Sequence, residues 1–303
     1  MEPGSRPAGF DAGDAAGAMP DPIEIARFEE ARLTDALAHI APVVERFAGG
    51  VMARGEPGSW MNKSMGFAMQ QAMAADQRSE SPRPSPADTT SRIIKFYESA
   101  AIEPRVEVSA YADMAWVRAL GDAGFRVLRF ANVLVRPLGD AGRLAAEAIA
   151  AVDGLTIEAV DPADAASVEA YARTGTAGFA RPGRPSTDLD LGVWARALER
   201  PGTIALLARV DGVPASAGIV EVTAPYATLF GLSVLPDFRR RGIQRAMQLA
   251  RLDHARRVGA TFATITSDPN GPTERNARRV GFTPMFARAI LVRPGPGLTP
   301  VAW

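Results

Sequence analysis

The sequence contains no cysteine and only two histidines, His39 and His254, in 303 residues. Disulfide bonds, thiolate metal sites and a cysteine nucleophile are therefore excluded. A metal site rich in histidine is excluded as well, and a serine–histidine–aspartate triad would have to use one of the two imidazoles. We accordingly expect no metal in the site.

Net charge is also lacking, because 34 Lys and Arg residues balance 34 Asp and Glu residues. A neutral protein has no global field that draws it onto nucleic acids or anionic membranes. We therefore expect neither as a partner, and any anion must be bound by a local site. No apolar run reaches the 18 or more residues of a membrane-spanning helix.

The chain length predicts two domains at about 150 residues each. Residues 1–20 are rich in Gly, Ala, Pro and Asp and lack the order of a signal peptide, which predicts a disordered leader and a cytoplasmic protein. We expect a first domain at 21–137, a linker at 138–154 and a second domain at 155–303. A fused pair already supplies a pseudo-dimer, so we expect a monomer or a homodimer.

Two segments of the chain resemble each other. GFRVLRFANVLVRP (124–137) and GFTPMFARAILVRP (281–294) match at six of fourteen positions, at an offset of 157 residues without a gap. In each half a strand and a helix precede the Gly-Phe pair, and a long strand follows it. Two copies of one fold account for this order, and the alternative is chance similarity between two strand endings.

The first half gives weaker local signals. Apolar residues spaced by three to five positions predict a helix from Asp21 to Gly49. A second helix is predicted to be capped by Thr89 or Thr90. The second half has alternating strands and helices, with a hairpin turn at Asp211-Gly212, and predicts a mixed α/β sheet whose first part is antiparallel.

The most informative stretch is LSVLPDFRRRGIQRAM (232–247), in which an apolar strand runs through a basic turn into a helix. Gly242 allows a tight turn and a close approach by a ligand. The amides from Arg240 to Arg245 lie at the positive end of the helix dipole, which favours a diphosphate. The alternative is a plain strand–turn–helix connection with a solvated arginine cluster.

This stretch resembles motif A of the GNAT acetyltransferases, Gln/Arg-x-x-Gly-x-Gly/Ala. It reads RRRGIQ (239–244), so Gln244 departs from the pattern although its backbone amide remains. The preceding Val-x-Pro appears as 234–236. The downstream Asn appears as Asn270, followed by a helix and by Val-Gly-Phe at 280–282. The resemblance covers about 156–293.

The resemblance implies two tandem GNAT-like domains, of which the first lacks motif A and is degenerate. It implies acetyl-CoA as the donor and direct transfer of the acetyl group to a primary amine of a small molecule or peptide, without a metal. The residues that it assigns to acetyl-CoA are Leu232, Ser233, Val234, Arg239, Arg240, Arg241, Gly242, Ile243, Gln244, Arg245, Asn270 and Thr273.

The catalytic groups are less defined. Many family members carry a Tyr four residues before the second Gly-Phe, where this chain has Ala277. Asn276, Thr273 or water are the alternatives for the acid. The candidates for the base are Glu221, Ser233 and Tyr226, and the alternative for Glu221 is a solvated strand-end carboxylate.

Two further expectations follow. The helix face that carries Arg251, Asp253 and His254 is predicted to be solvated, which disfavours catalysis by His254. The missing Tyr favours a second function, that of a non-catalytic acyl-CoA-binding sensor or regulatory protein. Nothing in the sequence identifies the acceptor.

Overall fold

A computed structural model of the chain describes residues 19–69, 84–180 and 188–300. Residues 1–18 of the predicted leader lie outside the described residues. Within the described ranges, no helix combines the length and the apolar character needed to cross a membrane.

Eight α-helices and eleven strands occur in this part of the chain. The helices are α1 (Pro22–Ile40), α2 (Pro86–Glu98), α3 (Met114–Asp122), α4 (Ala141–Ala150), α5 (Ala165–Phe179), α6 (Asp188–Ala197), α7 (Ile243–Arg257) and α8 (Pro272–Arg279). The strands are β1 (Val43–Phe47), β2 (Gly50–Arg54), β3 (Lys63–Met65), β4 (Arg105–Ser109), β5 (Arg126–Pro137), β6 (Leu155–Ala159), β7 (Thr203–Val210), β8 (Val213–Thr223), β9 (Tyr226–Val234), β10 (Phe262–Ser267) and β11 (Thr283–Val292).

All eleven strands form one sheet in the order β1-β2-β3-β4-β11-β5-β10-β9-β8-β7-β6. The β3–β4 and β9–β10 pairs are parallel, and the other pairs are antiparallel. The predicted mixed α/β sheet is therefore confirmed. Its strands β6 to β9, which form the first part of the second half, are antiparallel as expected.

The two halves exchange their long strands. β11, from the second half, lies between β4 and β5 of the first, and β5 in turn lies between β11 and β10. These are the two strands of the repeated segment, and each follows a strand and a helix as predicted. At the same offset of 157 residues, α2 of the first half corresponds in sequence to α7 of the second. Because the halves share one hydrogen-bonded sheet, the boundary at residue 137 stays a prediction.

Helices cover both faces of the sheet. On one face α4 and α7 pack over the second-half strands in the largest apolar cluster, which includes Leu134, Leu229 and Ile265. On the other face α5 and α6 pack over β7 and β8, and α1 packs over the centre of the sheet. The helix α1 of the first half therefore lies against strands of the second half.

Two local predictions were wrong. The first helix ends at Ile40 instead of Gly49, because 43–54 forms a β-hairpin whose turn residues, Ala48 and Gly49, have φ of 48° and 74°. Thr89 and Thr90 are buried inside α2, and its N-cap is Ser85. The β-branched pair at 43–44 suits a strand better than a helix.

The predicted linker carries a helix of its own. α4 occupies most of 138–154, and Ala141, Ala145 and Ala148 are buried in the main apolar cluster against α7. Its small side chains let the two helices approach closely. The connection between the halves is therefore part of the core.

We expect a fragment of residues 138–303 not to fold alone. Without β5, the edges of β10 and β11 lose their backbone partners and the apolar cover from Val133, Leu134 and Val135. Thermal unfolding followed by circular dichroism should show a cooperative transition for the whole chain and none for the fragment. Co-expression of residues 19–137 should restore the transition, whereas a folded monomeric fragment would contradict the expectation.

Candidate active site

The site forms where β9 separates from β10. Their parallel pairing runs from Tyr226 and Phe262 to Leu229 and Ile265 and stops there, while β9 continues to Val234. The last part of β9 keeps β8 as its partner on one side only. A gap therefore opens between two neighbouring strands of the sheet.

A β-bulge shapes the side of this gap. Between the pairs Ile219–Phe230 and Ala217–Ser233, β9 has one more residue than β8, and Gly231 takes a φ of 61°. Bulges of this kind re-aim the backbone next to functional sites.

Beyond the bulge, the direction of the backbone amides follows from the alternation along a strand. The amide of Leu235 donates to Ala215 O at 2.9 Å, which fixes the positions that face β8. Ser233 accordingly faces β8, whereas Leu232 and Val234 direct their backbone groups into the gap.

The predicted basic turn closes the end of the gap. Arg240 and Gly242 both have positive φ, of 62° and 86°, and Gly242 is the N-cap of α7 without a side-chain cap. The first bonds of the helix are donated by Arg245 and Ala246 to Gly242 O. The amides at 242–244 therefore precede the helical ladder and are available to an anion.

A cavity of about 480 Å³ lies against this turn. The predicted residues that line it are Val234, Arg239, Arg240, Gly242, Ile243, Gln244, Arg245 and Asn276. The other predicted residues, which are not part of this lining, are Leu232, Ser233, Arg241, Asn270, Thr273 and Glu221. Arg241 instead lies over the ring of Phe238, at 5.6 Å from its centroid.

Four lining residues were missed by the sequence analysis: Phe238, Gln248, Arg279 and Val280. Gln248 is only 1% exposed, and its Oε1 has no hydrogen-bond partner among the described residues. It follows Gln244 by four positions and so shares its helix face, a spacing that could have identified it. A buried acceptor without a partner, beside a cavity, is suited to a ligand N–H.

The candidate catalytic side chains do not converge. Glu221 is buried, and its carboxylate accepts from Arg200 at 2.5 Å and from Arg32 at 3.4 Å. The Ser233 hydroxyl donates to Gly175 O at 3.0 Å. Only Asn276 lies at the cavity, where its Oδ1 accepts from Arg279 at 2.8 Å. The roles assigned to these side chains stay predictions.

Tyr226 and Ala277, the other two positions considered for catalysis, are not part of the cavity lining. The Tyr226 hydroxyl donates to Glu24 at 2.6 Å, on the face covered by α1. Ala277 is fully buried in the main apolar cluster, so the position of the usual Tyr carries no polar group.

Glu29 on α1 lies beside Thr228 and Thr264, one of the last residue pairs between β9 and β10. Its Oε1 accepts from the hydroxyls of Thr228, at 2.7 Å, and Thr264, and its Oε2 accepts from Arg32 at 3.1 Å. Burial alone would raise the pKa of Glu29, but Arg32, Arg288 and the two hydroxyls outweigh it and hold the pKa below its usual range. The first half thus anchors the strands at the base of the gap.

We expect Glu29→Gln to destabilise the chain by about 3 kcal/mol, because it leaves buried Arg32 without part of its counter-charge. The folded pKa of Glu29 is lowered, so this stabilisation is complete above the unfolded pKa of about 4.3 and is lost as the pH falls. Urea unfolding at pH 7 would measure it. The control Glu147→Gln removes an exposed pair with Arg143 and should cost below about 0.5 kcal/mol. Equal effects of both variants would contradict the assignment.

Residues 176–282 match the profile of the Acetyltransferase (GNAT) family. No curated protein sequence matches the chain.

Several solved structures share the fold of most of the chain. A GCN5-related N-acetyltransferase from Kribbella flavida is 20% identical, with 89% of this chain and 97% of that chain covered at a TM-score of 0.57. A tandem GNAT protein from the clavulanic acid biosynthesis pathway is 13% identical, with 88% and 94% covered at 0.56. A functionally unknown conserved protein from Staphylococcus epidermidis is 13% identical, with 82% and 92% covered at 0.52. These likenesses show that the fold, over most of the chain, is shared with these proteins.

Proposed function

We propose that this chain, whose residues 176–282 match the profile of the GNAT acetyltransferase family, transfers the acetyl group of acetyl-CoA to a primary amine of a small molecule or peptide. The observation that carries the proposal is the junction of the β9–β10 gap with the uncapped start of α7 at Gly242. Val234, at the end of β9 beside the gap, lines the same cavity as the start of α7. A thioester with a long diphosphate-bearing arm fits such a site.

The start of α7 suits the diphosphate. The free amides at 242–244 and the helix dipole favour negative charge, and Arg240, Arg245 and Arg279 line the same cavity. Arg239 is less free, because its guanidinium donates to Val234 O at 3.1 Å and to Gly178 O at 3.2 Å. We expect it to hold the turn against β9 and α5.

The gap suits the acyl arm. The backbone groups of Leu232 and Val234 are directed into it, and the Gln248 carboxamide offers a buried acceptor. An amide N–H beside the thioester carbonyl would stabilise the oxyanion that forms when the amine attacks. The C–S bond then breaks, and the amine proton leaves as the coenzyme A thiolate departs and takes up a proton. No carboxylate lines the described cavity, so we expect positioning to supply much of the rate.

The first half has a different helix start at the matching place. At the offset of 157 residues, Ser85 of the first half corresponds in sequence to Gly242 of the second. The Ser85 hydroxyl accepts from the amide of Asp88 at 3.1 Å and donates to its carboxylate at 2.7 Å, and Pro86 has no N–H. The Ser85 side chain thus satisfies a free amide of this helix start, and Asp88 adds a negative charge in the first turn. We therefore propose that the first half binds no acyl-CoA.

We expect Gly242→Asp to weaken acetyl-CoA binding by more than about 100-fold, because it puts a carboxylate at the diphosphate site. The matched control is Gly212→Asp, whose glycine has a similar φ, 79° against 86°, but faces open space in a remote hairpin turn. Isothermal titration of acetyl-CoA would compare the two variants. Equal weakening would point to backbone strain and contradict the site, and no binding by the wild type would remove the proposal.

Titration of the wild-type chain should give one acetyl-CoA per chain, because the start of α7 has no side-chain cap, whereas the corresponding start of α2 is capped by Ser85. Gly242→Asp should leave no remaining site. A second site that survives in that variant would contradict a silent first half.

A further inference from the structure

Arg251 has an unusual environment for an arginine in the middle of α7. It is 0% exposed, although the sequence predicts a solvated face there. Its Nη1 donates to Ile219 O at 2.9 Å and to Phe230 O at 3.1 Å, and its Nε donates to Met247 O at 3.3 Å. Its Nη2 has no hydrogen-bond partner among the described residues.

No carboxylate pairs with this guanidinium in the described part of the chain. The titratable group that acts on it is Tyr171, whose own pKa burial raises well above the usual value, so this phenol is neutral at pH 7. Burial lowers the pKa of Arg251 to about 9, and the side chain therefore stays protonated. A lone buried cation costs free energy that an apolar side chain of similar size would not. Its presence calls for a reason other than stability.

The carbonyls that Arg251 binds belong to the β-bulge. Ile219 and Phe230 form the β8–β9 pair that directly precedes the extra residue of β9. A Cβ at Gly218 would lie 3.3 Å from Arg251 Cδ and Nε and 3.1 Å from Leu232 Cδ1, so this glycine leaves room for both side chains. The guanidinium is thus built into the bend that directs Leu232 and Val234 into the gap.

The same helix face connects this arginine with the cofactor cavity. Gln244 and Gln248 line the cavity. Arg251 follows Gln244 by seven positions and Gln248 by three, so the three side chains lie along one face of α7. The guanidinium of Arg251 therefore lies at the end of this row of three side chains, against the β-bulge.

We propose that Arg251 is a positioning residue for acyl transfer, which locks the β-bulge so that the backbone amides of Leu232 and Val234 meet the thioester carbonyl. This proposal rests on the acyl-CoA function proposed above. In a poorly solvated site a fixed cation also favours the negative charge that develops on the carbonyl oxygen. The diphosphate is held elsewhere, by the start of α7, so the two contributions can be separated.

The test compares Arg251→Met and Arg251→Lys with the control Arg257→Met, which removes an exposed arginine of the same helix. Acetyl-CoA labelled with 13C at the carbonyl reports on polarisation of the thioester through its chemical shift when bound. We expect a displaced signal for the wild type and the control, and a signal close to that of the free ligand for Arg251→Met. Affinity for unacylated CoA should stay within about twofold in all variants.

Arg251→Lys keeps the charge but cannot reach both carbonyls, so its signal should also move towards that of the free ligand. If Arg251→Met does not fold, the signal of Arg251→Lys tests the positioning role by itself. A wild-type signal in either folded variant would overturn the proposal for Arg251 while CoA binding by the wild type still supports the acyl-CoA function. With an acceptor, kcat should fall by about 10-fold or more at unchanged KM for acetyl-CoA.

Discussion

The antiparallel pairing of β5 with β11 is the interaction on which the rest of the structure depends. Each of these strands continues the sheet of the other half, so neither half completes its own sheet. The same exchange brings α1 across β9 and β10, where Glu29 holds the threonine pair at the base of the gap. The first half therefore supports the base of the proposed active site in the second half.

The proposed chemistry depends on backbone geometry more than on reactive side chains. A bulge directs two amides into a gap between strands, and a glycine in left-handed conformation starts a helix without a side-chain cap. Gln248 lines the cavity beside this backbone, and Arg251 binds two carbonyls at the bulge. The absence of cysteine and the placement of both histidines outside the cavity lining agree with such a mechanism.

The sequence predicted those features that are set by local patterns. The turn at Gly242, the β9 strand and the hairpin at Asp211-Gly212 follow from neighbouring residues and lie where they were expected. The repeated Gly-Phe segments also identified the two strands that pair at the centre of the sheet, although the pattern gave no sign of their exchange, because strand order depends on contacts between distant residues.

The features set by burial could not be predicted in this way. Arg251 and Asp253 alternate with apolar residues on α7, and without the position of β8 and α4 their face reads as solvated. Glu29 gives no signal because its partners are two threonines more than 190 residues away, as the separations of 199 and 235 indicate. The hairpin at 43–54 was missed because its apolar spacing also fits a helix.

The exchange of β5 and β11 has a consequence for biosynthesis. During translation β5 leaves the ribosome about 150 residues before β11 is made, since the two segments are 157 positions apart. Throughout that interval the edges of β4 and β5 lack the strand that later separates them. The nascent first half thus carries two open strand edges, which are free to pair with other chains until the second half is made.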